Sequence, residues 1–182
     1  MSATTITSQQ YDTIIRQCRD IFQKKNIDYG TSWRIMRTSS ITDQIFIKAQ
    51  RIRSIEQKGT QKIQENVVNE YAGIINYCII GLIQLVMPQD VELEMQSERV
   101  MRLFEEEVAK TKTLMEDKNH DYGEAWRDMR INTFTDLILM KIFRVKQIED
   151  NKGETIMSEG IDANYRDIMN YAIFALIRLN EK

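Results

Sequence analysis

Lys25-Asn26-Ile27-Asp28-Tyr29-Gly30-Thr31-Ser32-Trp33-Arg34-Ile35-Met36-Arg37 returns about 93 residues later as Lys118-Asn119-His120-Asp121-Tyr122-Gly123-Glu124-Ala125-Trp126-Arg127-Asp128-Met129-Arg130. The match runs on through Thr42-Asp43, Lys48, Arg51, Ile55 and Glu56, which recur as Thr135-Asp136, Lys141, Arg144, Ile148 and Glu149. After one inserted residue it ends with Tyr71, Asn76 and Tyr77 against Tyr165, Asn170 and Tyr171. A repeat this long is a whole structural unit, so the chain is expected to fold as two related halves around a pseudo-two-fold axis. The halves span 1–86 and 98–182. The linker 87–97 between them holds the chain's single proline, and together they are expected to form one compact domain.

With one proline and seven glycines there is little punctuation for strands and turns, whereas apolar residues recur at helical spacing almost throughout. The chain reads as all-α, a helical bundle of two tandem three-helix repeats. Tyr11, Ile15, Cys18 and Phe22 form one stripe of a first helix that should stop before Asp28-Tyr29-Gly30; Phe104, Val108, Thr111 and Met115 form its partner. Thr42-Asp43 and Thr135-Asp136 read as N-caps of the second helices, which should end near Lys58 and Asn151. The third helices should begin near Glu65 and Glu159 and run to about Val86 and Leu179.

A formal net charge of -2 argues against a dedicated nucleic-acid surface, which needs a clear excess of Lys and Arg; small anions remain admissible if the cations are local. The most apolar stretch, Ile74 to Met87, is too short and interrupted for a bilayer span and reads as a buried helix, so no membrane partner is expected. Cys18 and Cys78 lie in helical patterns without ligand-like spacing, and the chain opens on polar residues; both point to the cytoplasm. The duplication allows either a monomeric pseudo-dimer or a homo-oligomer.

Charged residues on apolar faces mark the candidate chemistry. Ile45, Lys48, Ile52 and Ile55 share one helical face, as do Leu137, Lys141, Arg144 and Ile148. An ammonium beside a buried stripe needs an anionic partner or water, unless its stem merely snorkels at the bundle edge; Arg51 and Arg144, three residues on, would share such a partner. On the last helix Asp167 and Asn170 precede an apolar run and should face inward, where a carboxylate must be paired, hydrogen-bonded or metal-bound. Glu159, Asp162 and Asp167 make an acidic ladder there, and an internal ion pair from Asp167 to Lys141 or Arg144 is an equal alternative. The first half departs: Glu65 matches Glu159, but Val68 and Gly73 stand where Asp162 and Asp167 would be, with Glu70 as a partial substitute. Glu105-Glu106-Glu107 reads as a solvated acidic run at a helix start. His120 aligns with Ile27 and receives no role, and there is no nucleophilic triad and no phosphate-cradling glycine loop.

The Lys-Asn-x-Asp-Tyr-Gly-x-x-Trp segment, the Lys-x-x-Arg helix and the Asp-x-x-Asn-Tyr helix resemble the family called nucleotide modification associated domain 1, once per half and over nearly the whole chain. The helical layout is also similar, more distantly, to the all-α nucleoside triphosphate pyrophosphatases of the MazG and dimeric dUTPase type. In that group paired carboxylates on two helices hold Mg²⁺, which binds the phosphates and activates water. The resemblance implies Glu159, Asp162 and Asp167 as metal ligands and catalytic groups, and Lys141, Arg144, Lys48 and Arg51 as phosphate-binding cations. Asp121, Tyr122, Trp126 and Asn170 would contact base or sugar. The chain departs in having no clean Glu-x-x-Glu pair on the first helix of either half, so that Glu106, Glu107 or Glu116 would have to serve.

Two functions follow as expectations. One is a Mg²⁺-dependent pyrophosphohydrolase acting on a nucleoside triphosphate, in which Mg²⁺ polarises phosphorus and the cations stabilise charge growing on the phosphates. The other is a helical scaffold that binds a nucleotide or partner without turning it over.

Overall fold

The computed structural model describes residues 6–59, 66–88, 92–156 and 159–181. In chain order these form α1 (Ile6–Tyr29), a 3-10 turn (Ser32–Ile35), α2 (Thr38–Lys58), α3 (Val67–Val86), α4 (Ser97–Tyr122), a second 3-10 turn (Ala125–Asp128), α5 (Ile131–Asp150) and α6 (Ile161–Asn180). No strand occurs among the described residues. The protein is all-helical, with three helices from each repeat. Glu65, expected to open the third helix, lies outside the described residues.

The stripes expected on the first helices are both buried, Tyr11, Ile15, Cys18 and Phe22 on α1 and Phe104, Val108, Thr111 and Met115 on α4. Both helices nevertheless run on through Asp28-Tyr29 and Asp121-Tyr122. They turn only at Gly30 and Gly123, whose φ of 60° and 62° is a left-handed conformation that a side chain disfavours.

The second helices start earlier than the Thr-Asp pairs suggest, at Thr38 and Ile131, and their N-caps Arg37 and Arg130 make no side-chain cap bond. The reason lies in the 3-10 turns, which hand the chain over through two extended residues, Met36-Arg37 (ψ 131° and 152°) and Met129-Arg130 (ψ 149° and 144°), so that the helix begins immediately afterwards. Thr42 and Thr135 therefore sit one turn inside the helix, buried, and bond across the halves. The Thr42 hydroxyl is 2.6 Å from that of Tyr165 on α6, and the Thr135 hydroxyl is 2.7 Å from that of Tyr71 on α3.

α3 and α6 lie at the centre. They pack most extensively against each other and against α2 and α5 respectively, α2 packs on α5, and α1 and α4 cover the remaining sides. Ile74, Ile75, Ile79 and Ile83 of α3 and Ile168, Ala172 and Ile173 of α6 are wholly buried. Each large side chain so placed contributes about 1.5–3 kcal/mol relative to exposure. Contrary to the sequence expectation, α3 is long and apolar enough by composition to cross a membrane, because the apolar run extends back to Val67; 72% of its most apolar 18-residue window is buried inside the protein, as expected of a buried helix. A central bundle helix has the same composition for the same reason, with apolar neighbours on nearly all sides. Both cysteines are buried and free, and burial pushes the Cys18 thiol up to about 12.

Candidate anion-binding site

One carboxylate in the second half is held between two ammonium groups. Asp167, on the buried side of α6, is 5% exposed. Its Oδ2 accepts from Lys141 Nζ of α5 at 2.9 Å, and its Oδ1 accepts from Lys118 Nζ of α4 at 2.7 Å. Three helices thus converge on one side chain, and each of its oxygens has its own charged donor. Lys141 is nearly enclosed, while the Lys118 side chain is about half exposed. Burial pulls the Lys118 ammonium down, but the hydrogen bond and charge of Asp167, with Tyr171 and Glu159 adding to them, raise it above its usual value. Tyr171, one turn after Asp167, is raised by burial and then by Asp167, and is drawn back by Lys118 and Arg144. Arg144 is exposed at the rim. Three cations, one carboxylate and a phenol therefore share this patch, with Glu159 within electrostatic reach.

The expected internal ion pair is thus present, and it has a partner that sequence reading did not assign. Lys118 opens the repeated motif, yet nothing in the spacing tells that the last turns of α4 lie over α6. The acidic ladder is not gathered. Asp162 and Glu159 are exposed, Asp167 is buried, and no three His, Cys, Asp or Glu side chains among the described residues are grouped to hold a metal ion. With both Asp167 oxygens bound to ammonium groups, the residues present do not fit a resident Mg²⁺.

The four residues expected at a base or sugar pocket are dispersed. Asp121 and Tyr122 are exposed at the end of α4, where Asp121 meets the His120 ring at 3.2 Å. Trp126 is buried, stacked on Phe174 at 4.2 Å and covered by Arg127. Asn170 accepts from the Tyr11 hydroxyl at 2.7 Å and donates to the Thr111 carbonyl at 3.2 Å, which makes it a core tie between α6, α1 and α4. Nor is the Glu105-Glu106-Glu107 run at a helix start, since α4 begins at Ser97. Glu107 is 1% exposed and accepts from Arg166 at 2.8 Å, an ion pair with no counterpart in the first half, where Ile14 and Ala72 stand. Glu105 pairs with Arg19, and Glu116 lies 3.9 Å from Lys112.

The first half replaces Asp167 by Gly73, and the Lys48 side chain occupies the space. A Cβ at Gly73 would lie 2.8 Å from Lys48 Cε. Lys48 and Arg51 turn instead to Glu70, one turn earlier on α3, at 3.7 and 2.9 Å. Glu70 substitutes for the missing aspartate, as expected in part, but from a different turn of the helix.

The sequence profile of nucleotide modification associated domain 1 matches residues 25–85 and again residues 118–179. The chain belongs to that family. It carries two copies of the nucleotide modification associated domain, and the Asp167 cluster is built wholly from the second copy, since Lys118, Lys141, Arg144 and Tyr171 all lie within its match. No curated protein and no solved structure matches the chain.

Proposed function

We propose that the second nucleotide modification associated domain 1 copy is a nucleotide-binding module that recognises phosphates with Lys118, Lys141 and Arg144. The observation that carries this reading is the excess of cations at Asp167. Two ammonium groups meet one buried carboxylate, Arg144 acts electrostatically on the neighbouring Tyr171, and the exposed cations, Lys118 and Arg144, stand where an anion can reach them. Asp167 acts as a fixed counter-charge. It holds two ammonium groups together against their mutual repulsion, so a bound phosphate would meet donors already in place. Tyr171, one turn after Asp167 and within electrostatic reach of Asp167, Lys118 and Arg144, supplies a neutral donor beside them.

Binding without turnover is the better supported form of this function. Among the described residues no three carboxylates are grouped to hold a metal ion, and Glu107, the buried candidate on α4, is paired with Arg166. Magnesium belongs to this reading as part of a Mg²⁺–nucleotide ligand. Pyrophosphohydrolysis is the second reading, supported by Glu159, whose charge reaches Lys118 from the segment just before the helix that carries Asp167. The separating experiment is a thermal-shift panel of nucleoside mono-, di- and triphosphates with and without Mg²⁺, followed by product analysis. A ligand at 100 times its Kd stabilises the native state by about 2.7 kcal/mol. Stabilisation lost in the exposed-site variants Lys118→Ser and Arg144→Ser, with no product, establishes binding; release of pyrophosphate establishes the second reading. A panel without any shift or turnover overturns both.

A further inference from the structure

The first copy holds a buried arginine that meets no counter-charge among the described residues. Arg34, in the first 3-10 turn, is 7% exposed. One Nη donates to the Gln84 side chain, the other donates to the Pro88 carbonyl at 2.8 Å, and Nε has no partner. All of its partners are neutral. Burial and the nearby Arg99 both push the Arg34 guanidinium below its ordinary pKa. Arg34 lines a cleft of about 250 Å³ together with Arg37, Thr38 and Gln84, walled by the apolar side chains of Ile35 and Leu93. No acidic residue among the described residues lines that cleft. Glu94, the near acid of the connecting segment, leans on Gly30 instead.

The matching arginine of the second copy shows what is missing. Arg127 meets Glu124 at 3.3 Å and Glu181 at 3.0 Å, and donates to Thr7 and Gln10 as well. In the repeat Glu124 corresponds to Thr31 and Glu181 to Met87, so the first copy has lost both acids while keeping the arginine. The cleft also lies at the start of α2, a helix of 21 residues whose N-cap Arg37 supplies no side-chain acceptor to the first-turn N–H groups. Positive charge from the helix end therefore adds to that of the guanidinium groups.

We infer that this cleft is a second anion site, in which Arg34, Arg37 and the α2 N-terminus take the phosphate group of a small phosphomonoester. A phosphate dianion suits it for two reasons. Its three terminal oxygens match several N–H donors converging from a guanidinium plane and a helix end, and its charge answers more than one arginine. The organic part of the ester would lie along Ile35 and Leu93, which are 74% and 53% exposed. The site is separate from the Asp167 cluster in residues and copy, and it stands whether or not that cluster binds nucleotides.

The test reads the Arg34 Nε–H signal in an ¹H–¹⁵N NMR spectrum while inorganic phosphate or phenyl phosphate is added, with Arg34→Lys used only to assign the peak. The expected result is a saturable shift of that signal with both probes, tighter for phenyl phosphate. The apparent Kd should rise about tenfold or more in Arg37→Ser/Arg99→Ser, whose residues are both exposed and whose fold should be unaffected. The shift should persist in Lys118→Ser, which removes an exposed cation of the other cluster. An Nε–H signal that stays still with both probes overturns the inference, as does a shift that disappears in Lys118→Ser but survives Arg37→Ser/Arg99→Ser. Binding of inorganic phosphate with exclusion of phenyl phosphate overturns the ester assignment.

Discussion

Asp167→Ala is the most informative single change, because it removes the negative charge around which three helices are tied. In the native protein the carboxylate is 5% exposed and accepts from Lys118 at 2.7 Å and Lys141 at 2.9 Å. Without it Lys118, half exposed, can swing into water at little cost, whereas the Lys141 side chain is only 12% exposed and cannot. Breaking a buried pair from one side costs about 3–5 kcal/mol, and the freedom of Lys118 places this case near about 3 kcal/mol. For a chain of this size about 1 kcal/mol moves the melting temperature by about 2–4 °C, so the expected loss is about 6–12 °C. Thermal unfolding followed by circular dichroism measures it, with Lys141→Met in Asp167→Leu as the control. That double variant replaces the enclosed pair by apolar groups and should recover most of the loss. A shift under about 1 °C for Asp167→Ala would mean that the carboxylate is not balancing a buried charge, and the account of a pre-set cation cluster would fall with it.

Gly73→Asp should restore to the first copy the arrangement of the second. Its Cβ meets only the mobile end of Lys48, which can move aside and pair with the new carboxylate, so a melting temperature equal to or above wild type is expected; a fall beyond about 3 °C would show that the space is not yielding. Tyr71→Phe and Tyr165→Phe each remove one end of a Thr–Tyr bond between the halves and should each cost about 1–2 kcal/mol by denaturant titration, with losses that add because the two bonds share no residue. Glu149 is raised above its ordinary 4.5 by burial, opposed by the Thr42 hydrogen bond, raised further by Asp43 and Asp150 and drawn back by Lys146. A carboxyl raised on folding binds its proton more tightly in the native state, so its penalty is absent below pH 4.5 and grows as pH rises toward the native pKa; Glu149→Gln should therefore flatten the fall in melting temperature above pH 4.5 and leave lower pH unchanged.

The helical class, the six helices and the buried stripes were legible because each rests on periodicity and on the repeat, which are local properties of the sequence. The ion pair of Asp167 was legible only as one of two equal alternatives, because an acid facing a core must be paired, hydrogen-bonded or metal-bound. What could not be read was decided by contacts between copies or between distant turns. Thr42 and Thr135 have the residue type and position of N-caps, but they answer to Tyr165 and Tyr71, which lie in the other half. Lys118 was visible only as a motif letter until α4 was laid beside α6. Trp126 looked like a pocket residue because aromatic groups recur around the Asp-Tyr-Gly turn, yet packing against Phe174 places it in the core, and Asn170, read as facing inward on the last helix, is tied there to Tyr11.

The two copies share a scaffold but have redistributed their charges in opposite directions. At the third-helix position the second copy keeps Asp167 and gathers cations around it, while the first has Gly73 and lets Glu70 neutralise Lys48 and Arg51. At the arginine of the 3-10 turn the order reverses: Arg127 is answered by Glu124 and Glu181, while Arg34 meets no acid among the described residues. A carboxylate deleted at random would cost stability wherever a buried cation remained, and such losses would be expected to take the cation with them. Here the positive charge lies next to an accessible rim, with Lys118, which shares Asp167 with Lys141, and Arg144 in one copy and the Arg37 cleft in the other. That pattern is what separate anion sites require, and a chain assembled from identical subunits could not produce it, because there every change would appear in both halves at once.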